Sequence, residues 1–257
     1  GDGADELFCG YNHYQRYLIM EKMLKLLPDW IKREVSNYAQ NSLPVGMKGR
    51  TYLQDFRTDF SSSLPIHVNG FFDVKTRENL LKGFSSYEGN YAQKIFNFRV
   101  PNCSDMIGRS TRMDFENYLA EDLLVKVDRA SMANSLEIRA PMLDVDVVEF
   151  VFGTIPSSMK IHKGSKKWIL KKIGKRVLPK NFELERKQGF SIPLATWLKS
   201  GSYRDLFYDV LFDRNCMFDK KTVQNIFREQ ERGRNNSERL FALTFFELWR
   251  QRYKASV

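Results

Sequence analysis

Residues 118–144 read YLAEDLLVKVDRASMANSLEIRAPMLD, a segment with two periodicities. In its first part, the spacing of apolar residues predicts a helix with Asp122, Lys126 and Arg129 on one face. In its second part, charged and apolar residues alternate, which places Glu137 and Arg139 on the same side of an extended stretch. A Glu–Arg pair beside apolar residues is often structural and orients the site next to it.

Helical spacing of apolar residues continues on both sides of this segment. Strand signals are weak, and neither an internal repeat nor a low-complexity tract interrupts the chain. No Gly/Ser-rich linker divides it, so residues 1–257 are predicted to form a single domain that is mainly α-helical. The predicted helices cover about 5–27, 29–41, 74–82, 87–98, 104–119, 121–135, 144–153, 166–177, 203–212, 219–232 and 237–254.

Capping residues support some of these helix boundaries. Asp73 is a candidate N-cap for the helix that follows it. Asn235 with Glu238 three residues later is typical of a capping box before the last helix. Ser165 is a candidate cap for the helix over 166–177.

The composition excludes several classes of protein. Hydrophobic residues make up 42% and charged residues 28% of the chain, which is typical of a folded globular protein. No apolar run approaches the roughly 20 residues of a membrane helix. The cysteines Cys9, Cys103 and Cys216 are widely spaced, so neither a disulfide framework nor a zinc cage is expected. We expect a reduced, cytoplasmic protein without a membrane segment.

Positive charge is concentrated in one segment. The chain has 41 basic and 31 acidic residues, and nine of the basic residues lie between Lys160 and Lys180, where no acidic residue occurs. The rest of the chain is therefore nearly neutral. A local anionic ligand and a solvated surface stripe both explain such a segment. A nucleic-acid-binding helical module is an alternative, although Trp168 and Ile169 interrupt the stripe at core-like spacing.

The sequence GDGADE at 1–6 combines two glycines and three carboxylates before a helical pattern. Glycines at a helix start let a ligand approach backbone N–H groups closely. The carboxylates of Asp2, Asp5 and Glu6 have two interpretations from spacing alone. They complement the helix dipole, or they bind magnesium together with substrate phosphates.

The basic segment contains KGSKKWIL at 163–170, a glycine loop that leads into a helix. Lys167 is expected in the first turn of that helix, next to free N–H groups. A cation there opposes the helix dipole, so the position favours a nearby anion such as a phosphate. Lys187, in RKQGF at 186–190, adds a further cation before a glycine.

Taken together, these motifs resemble the C-terminal, synthetase part of the glutamine-hydrolysing asparagine synthetase family. The resemblance covers nearly the whole chain and is weakest at about 30–105 and after 200. It rests on GDGADELFCGY at 1–11, the segment 118–144, Lys160 with Lys167 seven residues later, and RKQGFSIP at 186–193.

The resemblance implies an enzyme that uses ATP to activate a carboxylate, usually aspartate, as an acyl-adenylate. Ammonia, which a glutaminase domain releases from glutamine, then attacks the adenylate and gives the amide and AMP. The implied fold is an α/β adenine-nucleotide α-hydrolase-like domain of the PP-loop ATPase type. This chain would be its helical C-terminal portion, with most of the parallel sheet missing. The family also allows a homodimer.

The same resemblance assigns roles to the residues of the first loop. Gly1 and Gly3 would approach the nucleotide and pyrophosphate through the backbone. Asp2 would face the adenylate and assist proton removal from ammonia. Asp5 would bind magnesium, with support from Glu6.

The remaining roles fall on cations and on the central segment. Lys167 would neutralise pyrophosphate and the charge that develops at the transition state, and Lys187 would add to this effect. The residues expected to shape the site are Lys126, Asp128, Arg129, Glu137 and Arg139.

Two departures from the family pattern matter. Cys9 occupies a position where the loop commonly has glycine, which the following Gly10 makes tolerable. No S-G-G-x-D-S loop occurs in the 257 residues, and they are expected to lack the glutaminase domain of the family. The chain is therefore expected to be an incomplete fragment that is inactive alone.

Other interpretations remain open. One is an enzyme of the same family that amidates a different carboxylate, such as a sugar acid in surface polysaccharide assembly or a natural-product precursor. Another is a purely structural or assembly role, which the apolar content permits.

Overall fold

The computed structural model describes residues 2–65, 70–82, 99, 105–184 and 192–255. Contacts divide the chain into two compact units that are each assembled from separate segments. No Gly/Ser-rich linker marks this division, so composition did not indicate it, and a single partial domain stays a prediction. Unit 1 combines residues 1–27, 58–64 and 96–188, and unit 2 combines residues 28–57, 65–95 and 189–257.

Helices account for nearly all the regular structure of the described residues. Short 3-10 turns at Asp55–Arg57 and Pro141–Leu143 and a π-helix at Asp114–Leu123 accompany the α-helices. The α-helices, numbered in chain order, are α1 (Ala4–Phe8), α2 (Asn12–Leu24), α3 (Asp29–Asn41), α4 (Arg50–Gln54), α5 (Val74–Leu80), α6 (Met106–Met113), α7 (Leu124–Met132), α8 (Val145–Gly153), α9 (Ser157–Lys160), α10 (Trp168–Val177), α11 (Leu194–Trp197), α12 (Ser202–Phe212), α13 (Lys220–Glu231) and α14 (Ser237–Tyr253).

The sheet that the structure describes is one short hairpin in unit 1. Strand β1 (Ile161–His162) pairs antiparallel with β2 (Ser165–Lys166). Lys163 and Gly164 in the turn both have positive φ, which is typical of a type I′ hairpin. The prediction that Ser165 caps the next helix is therefore wrong, because Ser165 belongs to a strand. A mainly α-helical fold is confirmed, and the PP-loop type of domain stays a prediction.

The core of unit 1 forms around Leu7, Phe8 and Val151, which are almost completely buried. Helices α1 and α8 supply these residues. Ile169 and Leu170 of α10 pack against the same cluster. The apolar face of α10 is therefore fixed inward, and its cations are left for the outer face.

Residues 106–132 form one continuous helical run, where the sequence predicted two helices over 104–119 and 121–135. Helix α6, the π-helix and α7 follow one another without a break. Asp122 lies in the last turn of the π-helix and Lys126 in the first turn of α7, so their predicted position on one helix face stays a prediction.

Unit 2 has its own, larger core. Asp73 caps α5 as predicted, since its Oδ1 accepts a hydrogen bond from the Thr76 N–H at 2.9 Å. The N-cap of α14 is Asn236 and not the predicted Asn235, although Asn235 Oδ1 accepts a hydrogen bond from the Ser237 N–H at 3.3 Å. The buried residues of this core are Leu80, Leu198, Phe207, Leu211, Phe218, Val223, Ile226, Phe227, Leu240 and Leu243.

Two further sequence expectations concern a predicted helix over 87–98 and membrane-spanning segments. The helix predicted over 87–98 lies outside the described residues. Among the helices that the structure does describe, none combines the length and the apolar character that crossing a membrane requires.

Candidate active site

Unit 1 places the GDGADE loop at the start of α1. Gly3 is the N-cap of α1 with φ of +85°, a left-handed value that favours glycine. A Cβ at this position would also collide with the side chain of Leu143. Asp2 is partly exposed in the turn before α1, and Gly1 lies outside the described residues. Gly3 is thus required by backbone conformation and packing, independently of any ligand.

Asp5 and Lys167 meet in the structure although they are far apart in sequence. Lys167 Nζ lies 3.1 Å from Asp5 Oδ1, and the two side chains are 28% and 26% exposed. The Lys167 backbone N–H donates to the Phe8 carbonyl oxygen at 3.1 Å, which ties the start of α10 to the end of α1. The structure therefore brings together two residues that the sequence assigned to one site.

Gly10 lies directly beside this ion pair. Its N–H donates to the Asp5 carbonyl oxygen at 2.7 Å. A Cβ at Gly10 would collide with Asp5 Oδ1 and with Lys167 Cε. Sequence reasoning considered Gly10 only as compensation for Cys9. It missed the role of Gly10 in leaving room for the ion pair, because that role depends on a contact with a distant segment.

Glu6 is directed into the interior of unit 1, unlike Asp5. Its side chain is almost completely buried, and its Oε1 accepts a hydrogen bond from the Tyr11 hydroxyl. Burial raises the pKa of Glu6, and the hydrogen bond from Tyr11 opposes this shift only in part. Burial and the same hydrogen bond raise the pKa of Tyr11. The two carboxylates expected at a magnesium site therefore have different surroundings.

These surroundings limit how magnesium could be held. The described residues contain no group of three or more His, Cys, Asp or Glu side chains arranged for a metal ion. Magnesium in nucleotide sites is often held by one or two carboxylates, with phosphates and waters completing its coordination. Asp5 fits that role, whereas Glu6 fits only a supporting role through α1.

A network that the sequence did not predict anchors the segment after the loop. His13 Nε2 lies 2.8 Å from Asp114 Oδ2, and the Tyr14 hydroxyl donates to the same oxygen at 2.6 Å. The Tyr11 and His13 rings stack with centroids 5.4 Å apart. Burial, followed by the negative charge of Asp114, raises the pKa of Tyr14 well above its usual value. A lone histidine and scattered tyrosines offered no signal for this arrangement.

Cys9 and Lys160 are buried in the same region of unit 1. Cys9 ends α1 in the left-handed conformation, with φ of 61°. Glycine is the residue that adopts this conformation most readily at the end of a helix. Burial raises the pKa of the Cys9 thiol to about 12. Lys160 is 3% exposed, with Nζ 4.9 Å from the centroid of the Phe152 ring, and burial lowers its pKa.

The residues of the central segment lie on the surface of unit 1. Lys126, Asp128 and Arg129 are exposed on α7.

Glu137 and Arg139 form the ion pair predicted from their alternation, with 2.7 Å between Glu137 Oε1 and the Arg139 guanidinium. Both side chains are highly exposed, so this pair contributes little to stability. Lys187 lies outside the described residues.

A lysine held against a carboxylate beside a glycine-bounded turn defines a class of site suited to an anionic, phosphate-bearing ligand. Comparison with known proteins identifies the family of the chain. The chain belongs to the asparagine synthase family, whose sequence model matches residues 1–251.

Individual relatives show the same similarity. Asparagine synthetase (glutamine-hydrolyzing) 1 of Bacillus subtilis (strain 168) is 32% identical over 203 residues, which cover 78% of this chain and 31% of the relative. A Mycobacterium tuberculosis (strain H37Rv) protein, provisionally named asparagine synthetase (glutamine-hydrolyzing), is 28% identical over 252 residues, which cover 97% of this chain and 38% of the relative. The chain thus spans about a third of the length of these relatives. No solved structure matches it significantly.

Proposed function

We propose that this chain contributes to the ATP site of an amide-forming synthetase, in which a carboxylate is activated as an acyl-adenylate and then attacked by ammonia. The proposed carboxylate is aspartate, and the proposed source of ammonia is glutamine, through a glutaminase domain. Membership in the asparagine synthase family supports the assignment. The names of two relatives, asparagine synthetase (glutamine-hydrolyzing), support the proposed substrates.

The ion pair between Asp5 and Lys167 is the observation that carries the proposal. A lysine that already lies 3.1 Å from a carboxylate is positioned before a ligand arrives, so little reorganisation is needed when phosphate charge develops. Each side chain keeps about a quarter of its surface exposed, which leaves the pair accessible to a ligand.

In the proposed reaction, a carboxylate oxygen attacks the α-phosphorus of ATP and pyrophosphate leaves. Lys167 Nζ would donate to the departing phosphate oxygens and neutralise their growing charge. Lys187 would add to this effect, and Gly1 and Gly3 would offer backbone N–H groups to the nucleotide. Asp2 would accept a proton when ammonia attacks the acyl carbon and AMP leaves.

Asp5 would hold magnesium together with the ATP phosphates and water. The ion, when bound, neutralises negative charge on the phosphates. Because Asp5 also contacts Lys167, it would fix the separation between the lysine and the phosphates. Glu6 would contribute through its buried hydrogen bond with Tyr11, which anchors the turn of α1 that carries Asp5.

The exposed residues of the central segment would shape the site from the surface of unit 1. Lys126, Asp128 and Arg129 project from α7, and the Glu137–Arg139 pair follows in an extended stretch. Their exposure leaves them available to substrate.

The test is ATP–pyrophosphate exchange by the full-length gene product with aspartate and magnesium. Asp5→Asn and Lys167→Gln should each lower the exchange rate about 10²–10³-fold, the usual cost of removing one group that stabilises developing charge. Lys180→Gln is the matched control, because it removes an exposed cation of the same segment and should leave exchange unchanged. If exchange survives both Asp5→Asn and Lys167→Gln, the site assignment is wrong.

Substrate choice needs a separate measurement. Exchange supported by aspartate, against exchange supported by sugar acids and other carboxylates, distinguishes asparagine formation from the alternative within the family. We expect aspartate to support exchange. Exchange with a sugar acid but not with aspartate would show that another carboxylate is the substrate.

A further inference from the structure

A concave pocket of about 330 Å³ lies beside the β1–β2 hairpin and α10 in unit 1. Residues of the hairpin and of the outer face of α10 line it. Lys167 is not among its lining residues, since its Nζ is directed to Asp5. The residues that line the pocket are His162, Lys163, Ser165, Trp168, Lys171, Lys172 and Lys175.

The pocket concentrates positive charge. Four of its seven lining residues are lysines, and no acidic residue is among those that the structure describes at its wall. Lys171 and Lys175 are four positions apart on α10, a spacing at which like charges repel. Lysines that line a concave pocket raise the local concentration of anions, because the pocket focuses their electrostatic field.

The local fold explains why these lysines converge. Ile169 and Leu170 pack into the core of unit 1, so Lys171, Lys172 and Lys175 are left on the other face of α10. The two positive φ angles of the turn, 46° at Lys163 and 78° at Gly164, bring the hairpin back beside the helix.

An aromatic surface forms part of the pocket wall. The Trp168 ring centroid lies 5.0 Å from that of His162. Lys172 Nζ lies 5.5 Å from the Trp168 ring centroid, within the range of a cation–π interaction. The Lys172 ammonium group thus lies near the pocket wall, on a side chain that is exposed.

We propose that this pocket binds a small polyanion of the phosphate class, such as a polyphosphate or a phosphate ester. Lysine ammonium groups act as mobile point charges and are common phosphate ligands. The small volume and concave shape favour a compact ligand over a nucleic-acid duplex, whose backbone needs an extended stripe. Arg176 and Lys180 belong to the same basic segment but do not line the pocket. This inference does not depend on the proposed function.

The test is a calorimetric titration of the full-length gene product with inorganic tripolyphosphate at low salt. Lys172→Gln/Lys175→Gln removes two pocket cations and should weaken tripolyphosphate binding to the pocket about tenfold or more. A hydrogen bond from a charged lysine to a phosphate is stronger than one from a neutral side chain. Arg176→Gln/Lys180→Gln makes the same change of net charge outside the pocket and should leave the affinity near that of the wild type. Lys167→Gln should retain the pocket event while ATP–pyrophosphate exchange is lost, which separates this proposal from the proposed function.

Three outcomes would overturn the proposal. Equal weakening in the two double variants would indicate nonspecific attraction to net charge. Loss of all tripolyphosphate binding in Lys167→Gln, together with unchanged binding in Lys172→Gln/Lys175→Gln, would place the binding at the Asp5–Lys167 pair. Tighter binding of duplex DNA than of tripolyphosphate, lost in Lys172→Gln/Lys175→Gln, would identify a nucleic-acid surface.

Discussion

Gly10 is the residue at which a single added methyl group reaches the candidate site. Its backbone does not need a left-handed φ, so alanine is excluded only by the collision with Asp5 Oδ1 and Lys167 Cε. We expect Gly10→Ala to lower ATP–pyrophosphate exchange about 10²-fold, because the displaced ion pair no longer positions the lysine. The free energy of unfolding should fall by about 1–3 kcal/mol, the usual cost of overpacking.

Gly153→Ala is the control for this variant. A Cβ at Gly153 meets no atom within 4 Å, and the residue ends α8. Exchange should be unchanged and stability equal or slightly higher, because glycine is the weaker helix former. Equal exchange rates for Gly10→Ala and the wild type would show that the packing beside Asp5 is irrelevant to activity.

Cys9 should be chemically silent in the folded protein. Its side chain is fully buried, and burial raises the pKa of the thiol to about 12. At pH 8 only about one thiol in 10⁴ is then ionised, and the thiolate is the reactive form. In a Cys103→Ser/Cys216→Ser background, a chromogenic disulfide reagent should not react until the chain is unfolded in guanidinium. Rapid reaction of the native protein would show that Cys9 is accessible.

At the residue scale, chemistry was predictable and steric requirements were not. The carboxylate of Asp5 and the cation of Lys167 are recognisable from charge and motif, and the structure brings them together. The left-handed φ of Cys9 and the space beside Gly10 arise from contacts between segments, which no local pattern records. Burial of Lys160 was hidden by its position within a basic run.

Helix α5 in unit 2 depends on a cap that also neutralises a buried cation. Asp73 caps Thr76 and lies 2.7 Å from the Arg50 guanidinium, with both charged side chains at most 5% exposed. We expect Asp73→Ala to lower the free energy of unfolding by about 3–5 kcal/mol, because it leaves Arg50 buried without its carboxylate partner. Urea denaturation measures the difference.

Asp219→Ala is the matched control, because Asp219 caps α13 through Thr222 and is not buried with a cation. Asp219→Ala should lower the free energy of unfolding by about 1 kcal/mol, the usual contribution of a helix N-cap. Similar losses for the two variants would mean that the Arg50 pair adds nothing to the cap.

The pH dependence of this pair follows from the pKa of Asp73. Burial alone would raise that pKa, but the charge of Arg50 and the hydrogen bonds from Thr76 and Gln54 lower it. A carboxyl with a lowered pKa stabilises the folded state above its unfolded value of about 3.9, and this contribution is lost as the pH falls through the folded pKa. The stability difference between wild type and Asp73→Ala should therefore shrink below about pH 4.

At the element scale, helices with local capping and clear apolar spacing were predictable. Helix α3 matches its predicted bounds at 29–41, and Asp73 caps α5 as expected. The π-helix between α6 and α7 was not predictable, because its apolar spacing differs little from that of an α-helix. The hairpin before α10 was missed because Lys-Gly is a weak signal for a type I′ turn.

The whole molecule contains two compact units, and each has its own buried cluster. We expect Asp73→Ala to increase amide hydrogen exchange throughout the core of unit 2, while the amides near Leu7, Phe8 and Val151 in unit 1 keep their protection. Separate cores can open as separate units. Hydrogen exchange followed by mass spectrometry measures both regions in one sample, and equal acceleration in both would indicate a single cooperative unit.

The division into units was beyond sequence reasoning for a physical reason. Unit 1 collects three segments of the chain, and unit 2 collects the two segments between them together with residues 189–257. Composition reveals domains when a linker joins two continuous stretches. Interleaved segments are specified by long-range packing, which apolar spacing does not show.

The central claim is that Asp5 and Lys167 act together in adenylate formation, and a double-mutant cycle tests it most directly. ATP–pyrophosphate exchange is measured for wild type, Asp5→Asn, Lys167→Gln and the double variant. Because the two groups are in contact, we predict that the double variant is about as slow as the slower single variant, with a coupling free energy of about 3–4 kcal/mol, the full effect of one single substitution. Losses that add, with a coupling free energy near zero, would contradict the claim.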